Sequence, residues 1–148
     1  DGVSSFVRDI SIGGDQYTEA IQKEFNVSFD VAERLKRGQL VEDISQDDVL
    51  AIVNTVSDDI AVEIQRSFDF FRASTIDVAV DKLYLAGGCS LFGGIDRFFE
   101  EKLGVQVEIF NPFRNIKVPR RFDKDYIESI APQAAVAVGL ALRRLETQ

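Results

Sequence analysis

The segment from Lys82 to Leu103 constrains the fold of this chain more than any other. It begins with a short apolar run, Leu83–Leu85, passes through the paired glycines Gly87 and Gly88, and ends in an amphipathic stretch. This order predicts a buried strand, a glycine turn and a helix. Because glycine admits positive φ and the close approach of a ligand, the turn is either the floor of a nucleotide site or only a tight connection.

A similar arrangement occurs near the start of the chain. The segment from Val3 to Ile12 predicts a strand, the return arm of a hairpin, which ends at Gly13 and Gly14. Asp15 is a candidate N-cap for a helix from Gln16 to about Phe25, because its carboxylate can accept the free N–H groups of the first turn. Two strand, glycine and helix units are therefore available to line one cleft.

The remaining periodicity indicates an α/β fold. The longest predicted helix opens at Ser45, carries one apolar stripe as far as Phe71, and is expected to be the main core helix. The strands at residues 83–87 and 105–110, joined by one helix, form a parallel βαβ unit. A last helix is predicted from about Tyr126 to Leu145.

Composition excludes several classes of function. The chain of 148 residues fits one domain, and its net charge of −8 argues against a nucleic-acid-binding protein and against a globally basic membrane-surface protein. It has no histidine and one cysteine, Cys89, so neither a Ser-His-Asp triad, a Cys-His pair nor an ordinary Cys and His zinc site can form within it. Beside a glycine turn, Cys89 is interpreted as a small packing residue and not as a nucleophile.

One local segment departs from this acidic balance. Residues 114–124 contain five cationic side chains and a single carboxylate, Asp123. The segment is either a solvated loop or a docking patch for an acidic partner or lipid headgroups. Its cationic residues are Arg114, Lys117, Arg120, Arg121 and Lys124.

Three motifs, in this order, resemble those of the actin-like ATPase superfamily. The first is the run Ile10–Asp15 followed by Thr18–Ile21, the second is Ala32-Glu33-x-x-Lys36, and the third is Leu85–Ser90 with Gly94. Each motif is weak alone, but their order and spacing together are specific.

Within that superfamily the chain is similar to the PilM family of type IV pilus assembly, and the similarity covers essentially the whole chain. Further runs that support it are Arg8–Gly14, Glu63–Phe71, Asn111–Phe113 and Ala135–Arg143.

The resemblance implies a partial actin-like, or ribonuclease H-like, ATPase domain. By this resemblance, residues 1–148 would form its C-terminal half. The chain begins at Asp1 and contains no methionine, so it is also expected to be a piece of a longer polypeptide. Residues 1–14 and about 46–148 would form the subdomain IIA sheet with flanking helices. Residues from about 15 to 45 would form a reduced, helical subdomain IIB.

The resemblance also implies a set of nucleotide-binding residues. Glu33 and Lys36 would lie at the ribose and adenine, the turn at Gly87 and Gly88 would face the nucleoside, and Leu91 would pack on the adenine. Gly13 and Gly14 would lie near the sugar and phosphates. The implied ligand is ATP or ADP with magnesium in the full-length protein.

The function implied is that of the nucleotide-binding half of a cytoplasmic actin-like protein, peripheral to the inner membrane, in the type IV pilus assembly platform. Its partner would be a PilN-like inner-membrane protein, bound through the other half of the molecule. The two Asp-x-Gly phosphate loops of the superfamily have no counterpart here, so this piece is not expected to hydrolyse ATP alone, and no catalytic or metal-binding residue is predicted. The alternatives are a nucleotide-free scaffold with an inherited fold and a relative of the cell-division protein FtsA.

Overall fold

A computed structural model describes residues 4–75 and 79–143 of the chain, which divides into two compact units, Asp1–Val80 and Asp81–Gln148. The described part of the first unit contains helices α1, Gly14–Phe25; α2, Phe29–Lys36; and α3, Gln46–Ser74. The described part of the second unit contains two strands, β1 (Lys82–Leu85) and β2 (Gln106–Ile109). It also contains three α-helices, α4 (Ile95–Leu103), α5 (Lys124–Ile130) and α6 (Ala135–Leu142). Two 3-10 helices cover Gly88–Leu91 and Ala131–Ala134. The predicted subdomain boundaries near residues 14 and 45 stay predictions.

Apolar faces of α1 and α2 pack with α3 to form the core of the first unit. Ile21 on α1 and Leu35 on α2 are completely or almost completely buried, and each stabilises the fold by about 1.5–3 kcal/mol relative to an exposed side chain. The hydroxyls of Tyr17 and Ser57 share a buried hydrogen bond of 3.0 Å, which satisfies both polar groups. This core fixes α1 against α2.

Helix α3 confirms the long helix that the apolar periodicity of the sequence predicts. It begins after Ser45, whose hydroxyl accepts the N–H of Asp47 at 3.2 Å, and extends over 29 residues, or about 44 Å. Val49, Val53 and Ala61 are buried on one side of it.

Helix α1 begins at Gly14 and not at Gln16, and the prediction that Asp15 caps it is wrong. The N-cap is Gly13, whose N–H donates to Gln16 Oε1 at 2.6 Å, while Gln16 Nε2 donates to the Ser11 carbonyl at 3.1 Å. The side chain of Gln16 therefore fastens the turn. Asp15 lies inside the first helical turn, where its negative charge interacts favourably with the positive end of the helix dipole.

The strand predicted from Val3 to Ile12 is also wrong for residues 4–12, which have no regular secondary structure; Val3 lies outside the described residues. A strand requires a backbone partner, and none of the described residues pairs with this segment. Side chains attach it to α3 instead, because Arg8 donates to Glu63 Oε2 at 2.8 Å.

The second unit contains the predicted parallel strands. Strand β1 pairs with β2 in parallel, with Leu83 opposite Val107 and Leu85 opposite Ile109. Helix α4 connects the two strands and buries Ile95, Phe99 and Leu103. The βαβ arrangement confirms the α/β fold class.

The helix predicted from Tyr126 to Leu145 is interrupted, and Leu145 lies outside the described residues. Pro132 has no N–H and its ring excludes the carbonyl four residues earlier, so a regular α-helix cannot pass through it. The chain instead tightens into the 3-10 helix at Ala131–Ala134 between α5 and α6.

Candidate functional site

A cluster of polar groups joins the first turn of α1 to the end of α2. The Lys36 ammonium donates to the Gly14 carbonyl at 3.2 Å and to the Thr18 hydroxyl at 2.7 Å, and it is paired with Glu33 Oε1. The Thr18 hydroxyl is 3.1 Å from the Gly14 carbonyl and also contacts Glu33 Oε1. These four residues form what we call the Lys36 cluster.

Helical spacing places the members of the Lys36 cluster side by side. Glu33 and Lys36 are three residues apart on α2, and Thr18 lies one turn after Gly14 on α1, so each pair shares a helix face. The cluster is therefore a product of local helix geometry and of the α1 and α2 packing described above.

The environment of Glu33 favours its charged form. Burial raises the pKa of Glu33, but the hydrogen bonds from Lys36 and Thr18, together with the charges of Lys36 and Arg37, lower it further, so the net pKa lies below its usual value. The Glu33 side chain is 19% exposed, and its Oε2 lies 3.5 Å from the guanidinium of Arg37. Glu33 thus presents a carboxylate, partly open to solvent, that is ionised at neutral pH.

Counting donors shows which atoms are open to a ligand. An ammonium has three N–H donors, and Lys36 already contacts three acceptors, on Gly14, Thr18 and Glu33. A ligand that contacts Lys36 must displace one of them. Glu33 Oε2, by contrast, can still accept a hydrogen bond from a hydroxyl group.

Thr18 is the member of the cluster that sequence reasoning missed. It is completely buried, and its hydroxyl connects Gly14, Glu33 and Lys36. The signal was its position four residues after Gly14, which puts it on the same face of α1 as the glycine.

The second glycine pair forms an open turn in the second unit. Gly87 has φ +94°, in the left-handed region that favours glycine, and its N–H donates to the Pro132 carbonyl at 2.9 Å. The Gly87 carbonyl accepts from the Ser90 hydroxyl at 2.7 Å. A Cβ added at Gly88 would meet no atom of the described chain within 4 Å, and Leu91 is 44% exposed. The turn therefore has room beside its backbone for a ligand.

The predicted site residues accordingly lie in two groups. In the first unit the structure brings Gly14, Glu33 and Lys36 into direct contact, with Gly13 as the N-cap beside them. In the second unit Gly87, Gly88 and Leu91 lie together in one turn.

A separate cavity of about 590 Å³ lies in the first unit, and none of the residues that line it is a predicted nucleotide-binding residue. Its lining residues are Phe6, Val7, Arg8, Arg66 and Phe70.

Within the described ranges, no group of three or more His, Cys, Asp or Glu side chains is placed to hold a metal ion, so no residue here is assigned to magnesium. Nor does any helix in those ranges have the length and apolar character needed to span a membrane.

Comparison with known proteins adds independent information. The family described as type IV pilus assembly protein PilM matches residues 1–145. A solved PilM-PilN type IV pilus biogenesis complex contains a chain that is 32% identical over 92% of this chain, with a TM-score of 0.77. The ethanolamine utilization protein EutJ from Carboxydothermus hydrogenoformans is 19% identical over 88% of this chain, with a TM-score of 0.59.

This chain spans 38% of the length of the first solved protein and 37% of the second. Both have actin-like ATPase folds, and the predicted actin-like fold class is therefore confirmed.

Proposed function

This chain belongs to the PilM family of type IV pilus assembly proteins, and from that premise we propose that it forms the ATP- or ADP-binding part of an actin-like protein in the pilus machinery. The observation that carries the proposal is the Lys36 cluster, in which the ionised, 19% exposed carboxylate of Glu33 is held between α1 and α2, with its Oε2 beside the exposed Arg37. Magnesium, if it accompanies the nucleotide, is not assigned to any described residue.

The chemistry of the cluster favours the sugar of the nucleotide. A carboxylate accepts hydrogen bonds from hydroxyl groups and repels phosphate, so Glu33 Oε2 would accept from a ribose hydroxyl. Lys36 would hold the Glu33 carboxylate and the Gly14 carbonyl in position. At the second glycine pair, the open backbone of Gly87 and Gly88 and the exposed side chain of Leu91 would contact the base.

The test is a calorimetric titration of the full chain with ATP and with 2′,3′-dideoxy-ATP, which lacks the ribose hydroxyls. A hydrogen bond to a charged group contributes about 1.5–3 kcal/mol, so we expect Glu33→Gln to weaken ATP binding roughly tenfold to a hundredfold. The dideoxy compound should bind the unsubstituted chain and Glu33→Gln with similar, weak affinity. Glu24→Gln, an exposed position on α1, is the matched control.

A second variant tests the glycine turn. Gly88→Val adds a side chain where the described chain leaves space, so a loss of ATP binding with unchanged thermal stability would indicate that a ligand occupies that space. Gly139→Val on α6, where a Cβ would likewise meet no atom within 4 Å, is the control.

The titration with the dideoxy analogue decides the ribose contact. Equal affinity of the unsubstituted chain for ATP and for 2′,3′-dideoxy-ATP would contradict that contact.

The alternative function is a nucleotide-free scaffold, and one observation favours it. All three donors of Lys36 are already used by groups of the same chain, as they would be in a site that has lost its ligand. Absence of saturable nucleotide binding by the full chain would select this alternative.

The likeness to PilM in its complex with PilN supports a proposal about partners. We propose that the whole protein is cytoplasmic, lies at the periphery of the inner membrane, and binds a PilN-like protein there. Co-purification with the cytoplasmic tail of such a protein is the measurement, and a tail of scrambled sequence that is retained equally well would contradict it.

A further inference from the structure

A loop between β2 and α5 carries a positive charge that is not balanced within it. We call residues 114–124 the basic loop; it has five cations and one acid in a chain of net charge −8. Asp125 and Glu128 follow on α5, so the excess persists over residues 114–128, with five cations and three acids. All five cationic side chains are exposed: Arg114, Lys117, Arg120, Arg121 and Lys124.

The single carboxylate of the basic loop is already engaged. Asp123 Oδ1 accepts the N–H of Asp125 at 2.9 Å and that of Tyr126 at 3.2 Å, so it caps α5. Among the described residues, Lys117, Arg120 and Lys124 form neither an ion pair nor a side-chain hydrogen bond. Their charges are therefore open to a partner.

A backbone hydrogen bond holds part of the basic loop in a turn without any partner. The N–H of Phe122 donates to the Pro119 carbonyl at 3.1 Å, which closes a four-residue turn with Arg120 and Arg121 at its two central positions. A turn that is already formed loses less conformational entropy on binding. The two arginines are thus exposed on a turn that is already formed.

Aromatic side chains lie beside these cations. Phe122 is 45% exposed and Tyr126 is 61% exposed, and the guanidinium of Arg121 lies 5.1 Å from the centre of the Phe122 ring. Aromatic rings next to Lys and Arg are typical of positions at the boundary between lipid headgroups and water.

We propose that the basic loop binds the surface of an anionic lipid bilayer, with Arg120 and Arg121 among the headgroups and Phe122 at the apolar boundary. Each cation near such a surface contributes about a fivefold gain in binding. The contact is independent of the nucleotide site and of any PilN-like partner, because it involves only residues of this loop and the start of α5.

The experiment is sedimentation of the full chain with vesicles of phosphatidylglycerol and phosphatidylcholine in equal parts, and with phosphatidylcholine alone. We expect binding only to the anionic vesicles, and weaker binding as salt is added. The double substitution Arg120→Gln and Arg121→Gln should weaken it about 25-fold. Lys23→Gln with Arg97→Gln removes the same charge from exposed helix positions and should leave it nearly unchanged.

Further arms separate a bilayer from an acidic polypeptide. Phe122→Ser should weaken vesicle binding several-fold and leave retention on immobilised polyglutamate unchanged. The proposal is overturned if anionic vesicles do not bind, if phosphatidylcholine alone binds equally well, or if only polyglutamate retains the chain. Circular dichroism checks the fold of each variant, and all the substituted side chains are exposed.

Discussion

The two glycine pairs of this chain are alike in sequence but hold the backbone by different means. At the first pair, Gly13 has an extended φ of −161°, which any residue can adopt, and the Gln16 and Lys36 side chains fasten the turn. At the second pair, Gly87 has φ +94° and is held mainly by backbone hydrogen bonds with Pro132 and Ser90, to which the Ser90 hydroxyl adds one from a side chain. A glycine pair therefore indicates an accessible backbone, and it leaves open whether side chains or the backbone stabilise the turn.

The largest expected effect comes from removing the side chain that holds the first turn. Lys36→Met removes the nearer and more buried of the two cations that face the Glu33 carboxylate and leaves only the exposed Arg37, so we expect the free energy of unfolding in urea to fall by about 2–4 kcal/mol. Lys23→Met, on the exposed side of α1, should change it by less than about 0.5 kcal/mol. Equal effects of the two substitutions would show that side chains do not hold this turn.

A smaller effect is expected where the backbone itself holds the turn. Gly87→Ala forces a Cβ into a backbone conformation, φ +94° and ψ 176°, that is essentially restricted to glycine, and should cost about 1–3 kcal/mol of unfolding free energy. Gly13→Ala adds a Cβ that meets no atom of the described chain within 4 Å. It restricts the unfolded chain but makes a poorer N-cap than glycine, so it should change the unfolding free energy by less than about 0.5 kcal/mol. The comparison fails if urea denaturation gives both substitutions the same loss of stability.

The smallest expected effect is a change of stability with pH, because burial and hydrogen bonding move the pKa of Glu33 in opposite directions. Since the folded pKa of Glu33 is below its unfolded value, the charged carboxylate adds stability above the unfolded pKa of about 4.3, and this contribution is lost as the pH falls through the folded pKa. The urea midpoints of the unsubstituted chain and of Glu33→Gln should therefore begin to converge as the pH falls below the unfolded pKa of about 4.3. A constant difference between them down to pH 3 would exclude this linkage; Glu24→Gln is again the control.

The elements that the sequence predicted correctly depend on local patterns. Helix α3 has a long apolar stripe and a serine cap, and the βαβ unit has two apolar runs around an amphipathic helix, so each could be recognised from its own residues. The strand expected at residues 4–12 failed because strand formation depends on a partner elsewhere. The interruption at Pro132 was readable from proline chemistry, but the apolar periodicity on both sides concealed it.

The candidate site was predictable only in part. Glu33 and Lys36 could be placed on one helix face by their spacing, and the structure places them in contact. That Lys36 uses all of its donors within the chain could not be predicted, because it depends on how close α1 lies to α2. The same packing explains why Thr18, a buried residue inside the first motif, was not predicted as a site residue.

The break at Pro132 has a consequence for the glycine turn. The carbonyl of Pro132, in the 3-10 helix between α5 and α6, accepts the N–H of Gly87. This hydrogen bond ties the loop after β1 to the C-terminal helices. A displacement of one of these segments is therefore expected to strain the other.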